Sequence, residues 1–421
     1  MFAEGWGADE SLFPSLFYHL QRRKLVMEFF TYFYEEDIKR FFFRRPGAFT
    51  KHSNRDLLSY SLGATLYMPA TRPNIHQEIL SKKHEGLTSL VIDLEDAIGD
   101  RDVEMAEDLL VRELLKLQDE CNKGFLDYED LPLMFIRIRQ LEQLQQLKDR
   151  LGEALNILTG VVIPKFSAEN GKYILEMVRD IYTETHPFYA MPILESAKVI
   201  QKETRMDELL KIKHLLDHYR DYILNVRIGA TDFCGLYGIR RNMDTTVYDI
   251  AVLRDCISDI INVFQRFDSP YVVSGPVWEY FSAKKRMLKP QLRQTPFRER
   301  YGEEGLKWRA KLIDENMDGL IREILMDISN GLTGKTIIHP THIKVVQALN
   351  VVSYEEFIDA SNIVKASGEN NGVMKSEFAN KMNEVKPHYF WAQKVLLKSK
   401  VYGVLHEEFT SIDLIRKEVY V

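Results

Sequence analysis

Residues 89–120 decide the fold class of this chain, because the hydrophobic pattern of a strand is followed there by that of a helix. They read SLVIDLEDAIGDRDVEMAEDLLVRELLKLQDE. The opening SLVIDLE is a short apolar run that ends in acidic residues, as expected of a buried strand. The part from residue 102 onward repeats apolar residues at intervals of three and four, which is the pattern of an amphipathic helix. The stretch therefore predicts one strand followed by one helix.

The same unit recurs along the chain, with charged segments of helical periodicity between the apolar runs. The other seven runs are LGATLYMP (62–69), MFIRIR (134–139), GVVIPKF (160–166), FYAMPILE (188–195), LNVRIGATD (224–232), YVVSGPV (271–277) and GKTIIHP (334–340). Eight strands that alternate with helices predict a parallel α/β protein, and the count of eight favours a closed (β/α)₈ TIM barrel. A doubly wound open sheet is the alternative, but it usually has a glycine-rich phosphate loop after its first strand, where this chain has MPATRP.

Two flanking segments complete the predicted organisation. We expect an N-terminal helical extension at 1–55, a catalytic barrel at 56–352 and a C-terminal helical lid or interface segment at 353–421. The extension contains FFTYFYEEDIKRFFFRRPGAF, and a peripheral membrane helix is the alternative to packing on the barrel. The tail is predicted to be helical in three pieces, which are EEFIDASNIVKAS, KSEFANKMNEV and HYFWAQKVLLKSKVYGVL.

The composition excludes several classes of protein. Of 421 residues, 45% are hydrophobic, and 56 Lys and Arg against 62 Asp and Glu give a net charge of −6. A disordered chain would be poorer in apolar residues, and a general nucleic-acid binder would be basic. The longest stretch without a charge covers residues 57–71 and is shorter than the roughly 18 residues that span a membrane. With three scattered cysteines and no basic leader, we expect a cytoplasmic protein that binds neither nucleic acid nor membrane.

Acidic residues at two neighbouring strand ends form the first candidate site. The active site of a TIM barrel lies at the carboxyl ends of its strands. Glu195 and Asp232 each follow an apolar run directly, in PILES and RIGATD. Adjacent strands lie about 4.8 Å apart, so the two carboxylates repel each other unless a cation lies between them. We predict that they bind Mg²⁺, which favours carboxylate oxygens, and the alternative is that both acids cap helices.

Basic residues at other strand ends form the second candidate set. Alternation in MFIRIR turns Arg137 or Arg139 toward the barrel interior, where an arginine needs an anion such as a substrate oxygen or an acid. Lys165 ends GVVIPKF, and we predict a charge partner for the acids, with a Schiff-base nucleophile as the alternative. The general base is left open between a metal-bound hydroxide, Glu95 and His339.

The order of the motifs resembles a known family. LYMPATRP, VIDLEDAI, FIRIR, VVIPKF, PILES, RIGATDFCGLYG and GKTIIHPTHI resemble the citrate lyase β-subunit-like proteins of the HpcH/HpaI aldolase superfamily. The resemblance covers about residues 62–352. The long flanking segments look most like the divergent C–C bond lyase branch that is associated with tellurium-resistance and stress operons. The resemblance implies a TIM barrel that makes or breaks a C–C bond with the help of Mg²⁺.

The resemblance also implies roles for individual positions. Glu195 and Asp232 match the metal carboxylates, and Arg137 matches the arginine that contacts the substrate oxygen and stabilises the enolate. The catalytic acids Glu95 and Asp96 match the DLED motif beside the metal. Relatives of this type are often trimers or hexamers, so we expect a homo-oligomer that acts on a small molecule.

Two further features bear on the substrate. Arg72 matches the loop that meets the phosphate region of CoA in the family, so a CoA thioester is a candidate substrate. Residues 282–311 contain ten Lys and Arg against three Glu. Because the loops after strands 7 and 8 of a barrel often bind phosphate, we predict that Arg293, Arg298 and Arg300 receive a phosphorylated or nucleotide-like substrate. The alternative is a solvated or interface loop.

The function predicted from the sequence is therefore a Mg²⁺-dependent carbon–carbon lyase. It would run a retro-aldol or retro-Claisen step, or the reverse, on a small oxo-acid, a CoA thioester or a phosphorylated substrate. Two alternatives stay open: a Schiff-base aldolase that uses Lys165, and a non-catalytic barrel that serves as a scaffold in a stress-response complex.

Overall fold

The computed structural model describes residues 26–281, 317–368 and 372–417, together with residues 300, 302 and 304. Eight parallel strands form one sheet, and they follow one another around it in chain order. The strands are Ala64–Pro69 (β1), Ser89–Asp93 (β2), Leu133–Arg137 (β3), Gly160–Ile163 (β4), Tyr189–Leu194 (β5), Arg227–Ile228 (β6), Gly275–Trp278 (β7) and Lys335–Ile337 (β8).

The sheet closes on itself. β8 pairs with both β1 and β7. Between β6 and β7, the N–H of Val226 donates to the carbonyl of Val272 and the N–H of Ser274 donates to the carbonyl of Val226, each at 3.0 Å. The predicted TIM barrel is confirmed. All residues of β2, β3 and β5 are buried, as expected of parallel strands that helices cover on the outside.

Helices connect the strands and flank the barrel. Their apolar faces are buried against the sheet, for example Leu110, Leu114 and Leu117 in the helix after β2. The described α-helices are Glu35–Phe41, Arg55–Tyr60, Ile75–Leu80, Val103–Asn122, Leu141–Leu151, Ala168–Ile181, Ala197–Ile200, Lys202–His218, Ala230–Leu236, Ala251–Phe264, Asp318–Ser329, Ile343–Leu349, Tyr354–Gly368, Val385–Tyr402 and Ser411–Lys417.

The described part of the N-terminal extension packs on the barrel and on the C-terminal tail. Phe29 is buried and stacks on Tyr402, with the ring centroids 4.5 Å apart. The short strand Phe42–Arg44 pairs antiparallel with Val404–Leu405. The aromatic side chains of this segment thus contribute to the core. Within the described ranges, no helix is long and apolar enough to cross a membrane.

The C-terminal tail departs from the sequence prediction in its middle piece. KSEFANKMNEV was expected to be helical, but Val373–Lys375 and Met382–Glu384 form an antiparallel hairpin. The buried carboxylate of Asp359 accepts hydrogen bonds from Ser376 Oγ and Asn383 Nδ2, both at 2.8 Å. Asp359 belongs to the helix Tyr354–Gly368, so these hydrogen bonds hold the hairpin against that helix. They override the helical pattern of the hairpin's own sequence.

Candidate active site

A cavity of about 530 Å³ opens at the carboxyl ends of the barrel strands. This is the end at which TIM barrels carry their active sites. Its charged lining combines acids and arginines from several strands, and it includes Asp93, Asp96, Arg137, Glu195, Arg227 and Asp232.

A bidentate ion pair between β2 and β3 fixes one wall of the cavity. Asp93 and Arg137 are neighbours in the register of the two strands. Nε and Nη2 of Arg137 donate to the two carboxylate oxygens of Asp93, each at 2.6 Å. Burial acts against the charge of Arg137, but the hydrogen bonds and the charge of Asp93 raise its pKa above the usual value. Arg137 is therefore a cation held in a fixed orientation.

The DLED loop after β2 bends over this pair. Nη1 of Arg137 lies 3.0 Å from Glu95 Oε2 and 3.0 Å from Asp96 Oδ2. Arg139 supports the same loop from outside, because its Nε donates to the carbonyl of Leu94 at 2.7 Å. Alternation left open which arginine faces the site. The structure places Arg137 on the cavity wall, whereas Arg139 braces the loop.

Lys165 connects the DLED loop to Glu195. Its backbone has a φ of +48°, a conformation that non-glycine residues seldom adopt. In that conformation its N–H donates to Glu195 Oε1 at 2.7 Å, and its ammonium group pairs with Glu95. Partial burial acts against the charge, but the hydrogen bond and the charge of Glu95 raise the pKa of Lys165. The lysine is thus a cationic partner of the acids.

Glu195 and Asp232 face each other across the ends of β5 and β6. Burial and the charge of Asp232 raise the pKa of Glu195 well above its usual range, and burial and the charge of Asp96 raise the pKa of Asp232. Neither acid occupies an N-cap position, since Ser196 and Gly229 are the N-cap residues of the two helices that follow.

A glycine makes room for Glu195. A Cβ atom on Gly229 would come within 2.1 Å of Glu195 Oε2, which no real contact allows. The glycine of RIGATD therefore permits the carboxylate to lie against the β6 backbone, and a larger residue would displace it.

The donor chemistry of this pair fits Mg²⁺. The two acids offer hard oxygen atoms, and their mutual repulsion would be relieved by a divalent cation. In the part of the chain that the structure describes, no group of three or more His, Cys, Asp or Glu side chains could hold a metal ion. Structural zinc sites need such a group, whereas Mg²⁺ is held by one or two carboxylates together with water and substrate oxygens.

Several predicted residues lie elsewhere or outside the described ranges. Arg72 is bound by Glu78, with Nη2 and Oε1 2.9 Å apart, and it is not part of the cavity lining. His339 stacks on Phe281 with a centroid distance of 4.4 Å and is also not part of that lining. Arg300 donates to the carbonyl of Glu408, so this residue contacts the C-terminal tail. Arg293 and Arg298 lie outside the described residues.

Sequence reasoning missed Arg227, which lines the cavity from β6. The signal was available, because Arg227 stands inside the apolar run LNVRIGATD just as Arg137 stands inside MFIRIR. It also missed the cavity residues Tyr67 and Thr336, whose positions in β1 and β8 carry no distinctive pattern.

Comparison with known proteins identifies the family. A family model described as C–C bond lyase of the TIM-barrel fold matches residues 56–404. The chain therefore belongs to this family, and it is a carbon–carbon lyase built on a TIM barrel. No curated protein sequence matches the chain.

Solved structures of citrate lyase proteins resemble this chain. A citrate lyase from Burkholderia xenovorans is 14% identical, with a TM-score of 0.52, covering 80% of this chain and 92% of its own. The CitE protein of Mycobacterium tuberculosis, in complex with magnesium, acetoacetate and coenzyme A, is 18% identical, with a TM-score of 0.47 and coverage of 81% and 99%. The M. tuberculosis citrate lyase beta subunit with oxaloacetate and magnesium is 19% identical, with a TM-score of 0.41 and coverage of 69% and 96%. At these identities the likeness is one of fold.

Proposed function

We propose that this chain is a Mg²⁺-dependent lyase that cleaves or forms a C–C bond next to a 2-oxo or thioester carbonyl. One observation carries the proposal: the carboxylates of Glu195 and Asp232 line the same cavity as Arg137, which Asp93 holds in a fixed orientation. The magnesium present in solved citrate lyase structures agrees with it.

Each residue of the site has a defined task in this proposal. Glu195 and Asp232 hold the metal. Bound there, Mg²⁺ would supply Lewis-acid polarisation of the substrate carbonyl. Arg137 contacts the oxygen on which negative charge develops, and its bond to Asp93 fixes it in advance, so it need not reorganise during the reaction. Lys165 holds the DLED loop and Glu195 in place.

Glu95 is the side chain that we assign as general base. Burial raises its pKa, which favours proton uptake, and it bonds to Arg137 beside the cavity. His339 is directed at Phe281 and Thr341 instead. Asp96 shares Nη1 of Arg137 with Glu95, so we assign it a role in orienting both groups.

The Schiff-base alternative has weak support. A lysine that forms a Schiff base needs a lowered pKa so that its neutral amine can attack a carbonyl. The pKa of Lys165 is raised, since its ammonium group pairs with Glu95 and lies 3.7 Å from Asp96. We therefore assign Lys165 a positioning role.

The finer assignments of this protein are also proposals. The substrate is a small oxo-acid, a CoA thioester or a phosphorylated compound. We propose a cytoplasmic homo-oligomer of the branch associated with tellurium resistance and stress. Arg72 would have to leave Glu78 in order to reach a CoA phosphate. Substrate screening tests the substrate class, and light scattering tests the oligomeric state.

Calorimetric titration with Mg²⁺ tests the proposed function. The parent should bind Mg²⁺, and E195Q and D232N should each lose at least tenfold in affinity. D255N is the matched control, because Asp255 pairs with Arg205 and does not line the cavity. If the parent fails to bind Mg²⁺ both alone and with pyruvate present, the proposal is wrong. Equal binding by the parent, E195Q and D232N would place the metal elsewhere.

A further inference from the structure

Tyr67 is a cavity residue to which the proposed function gives no task. It lies in β1, it lines the cavity together with Arg137 and Glu195, and its side chain is only partly buried. Among the described residues, no acceptor lies within hydrogen-bond distance of its hydroxyl group. The hydroxyl oxygen is not one of the buried atoms that lack a partner, so it is exposed to the cavity. Tyr67 therefore presents a free phenolic O–H group to a bound ligand.

Two arginines flank the ring of Tyr67. Its centroid lies 5.5 Å from Cζ of Arg137 and 5.7 Å from Cζ of Arg227. Arg227 is 1% exposed, and among the described residues no Asp or Glu oxygen lies within 4.0 Å of its guanidinium nitrogens. Burial raises the pKa of Tyr67, whereas the charges of Arg227 and Arg137 act in the opposite direction. The phenol is thus protonated at neutral pH, and a cation without an acidic partner lies beside it to stabilise the phenolate that remains once the proton is given away.

A second tyrosine shows how this arrangement differs from a structural one. Lys213 Nζ lies 5.1 Å and Arg220 Cζ 4.7 Å from the ring centroid of Tyr271, so two cations flank this ring as well. The hydroxyl of Tyr271 donates to Asp217 Oδ1 at 2.9 Å, and this tyrosine does not line the cavity. The proton of Tyr271 is therefore used inside the protein, whereas that of Tyr67 is available to a ligand.

The proposed lyase reaction requires a proton donor. When the C–C bond breaks, its electron pair becomes part of an enolate, and the enolate carbon must take up a proton to give the stable product. Glu95 is assigned to the removal of the hydroxyl proton, and Arg137 contacts the enolate oxygen. Arg137 also lies against the ring of Tyr67, so the phenol and the enolate would share one wall of the cavity.

We propose that Tyr67 is the acid that protonates the enolate carbon. The O–H bond of the phenol breaks, and a C–H bond forms on that carbon. The electron pair of the O–H bond stays on the phenolate oxygen, and water in the cavity later returns a proton. In the reverse direction, the phenolate removes a proton from the carbon next to the carbonyl. The inference rests on the proposed function and adds a catalytic residue to it.

Proton exchange tests the inference although the full substrate is unknown. NMR follows the exchange of the methyl protons of pyruvate and of acetyl-CoA in D₂O, at a Mg²⁺ concentration that saturates the parent. The parent should exchange at least one of these two probes faster than the same solution without protein does. Y67F should reduce the rate at saturating probe by about 100-fold or more, the usual contribution of a general acid or base. Its Kd for Mg²⁺ and for the probe should equal that of the parent.

Y271F is the matched control, because it removes the hydroxyl of a tyrosine that two cations flank outside the cavity. It should exchange the probe at the rate of the parent, although it loses the hydrogen bond to Asp217. R227M should slow the exchange by about tenfold or more, because the phenolate loses the cation beside it. If Y67F does not fold, R227M decides, and an exchange rate equal to that of the parent then overturns the inference.

The outcomes separate this inference from the proposed function. A parent that binds Mg²⁺ but exchanges neither probe overturns the role of Tyr67 and leaves the lyase proposal in place. A smaller fall in the rate of Y67F overturns it too, as does a Y67F that has lost affinity for the probe, since the ring would then serve packing or binding. A parent that binds no Mg²⁺ refutes the proposed function, and the inference fails with it.

Discussion

Two buried charge clusters in this barrel differ in how their charges balance. The first lies between β7, β8 and the helix Asp318–Ser329. Lys335 Nζ lies 2.9 Å from Glu323 Oε1 and 2.7 Å from Asp327 Oδ2, and Arg241 Nη1 lies 2.8 Å from Glu323 Oε2. Tyr248 donates its hydroxyl to Asp327 at 2.8 Å. Two cations and two fully buried acids thus satisfy one another, and Arg241 Nε also pairs with the partly exposed Glu279 at 3.2 Å.

The second cluster, at the mouth of the barrel, is out of balance. Arg137 and Lys165 are the cations that contact its acids, and the acids outnumber them. These acids are Asp93, Glu95, Asp96, Glu195 and Asp232. The deeper Arg227 has the opposite imbalance, since no described acid pairs with it. In a balanced cluster the removal of one member leaves a buried charge without its partner and destabilises the fold, whereas an unbalanced cluster keeps affinity for ions that come from solution.

The largest effect on stability should come from breaking the balanced cluster. K335M leaves Glu323 and Asp327 buried without their shared cation. We expect a loss of about 3–5 kcal/mol in the free energy of unfolding, measured by urea denaturation. Mg²⁺ affinity per folded molecule should not change, because this cluster lies outside the cavity. A loss below 1 kcal/mol would show that the cluster does not support the fold.

Gly229→Ala should damage the site through its geometry. The new Cβ would overlap Glu195 Oε2, so the carboxylate must move or the β6 backbone must shift. We expect a loss of about 1–3 kcal/mol in stability and at least a tenfold loss in Mg²⁺ affinity. Gly235→Ala is a suitable control, since nothing lies within 4 Å of a Cβ at that position. Equal Mg²⁺ affinity in both variants would show that the position of Glu195 is unimportant for the metal.

Removing one of the two repelling acids should stabilise the metal-free protein. In E195Q the amide oxygen can still accept the N–H of Lys165, while the repulsion with Asp232 disappears. We expect a gain of about 1 kcal/mol in the free energy of unfolding without Mg²⁺. The gain should vanish or reverse at a Mg²⁺ concentration that saturates the parent, because the parent binds the ion at least tenfold more tightly than E195Q does. Destabilisation in both conditions would mean that the two acids do not compete.

The smallest change is expected at Lys165. Its side chain is 53% exposed, so K165M should alter stability by no more than about 0.5 kcal/mol. Borohydride treatment with pyruvate should give no covalent adduct on the parent, as judged by mass spectrometry. An adduct on the parent that is absent from K165M would revive the Schiff-base alternative.

The sequence predicts the barrel well because each strand is a short apolar run with polar residues at its carboxyl end. That pattern is local, and parallel strands are buried on both faces, so eight such runs suffice. The positions of Glu195, Asp232 and Arg137 follow from the same logic, since barrel topology brings strand ends together.

The remaining features depend on contacts between distant residues. Alternation cannot decide between Arg137 and Arg139, because the choice depends on the carboxylate of Asp93 in the neighbouring strand. The hairpin at 373–384 depends on Asp359 in another element. Among the described residues, no acid pairs with Arg227, and this can be seen only from the residues around its guanidinium group. No sequence pattern shows whether an arginine has an acidic partner.

The most direct test of the charge imbalance is the location of a divalent cation. Crystals of the protein grown with Mn²⁺ as a substitute for Mg²⁺ would show the ion by anomalous scattering. The account predicts one strong peak at the barrel mouth, about 2.2 Å from carboxylate oxygens of both Glu195 and Asp232. A peak bound by neither acid, or no peak at millimolar Mn²⁺ with and without pyruvate, would contradict it.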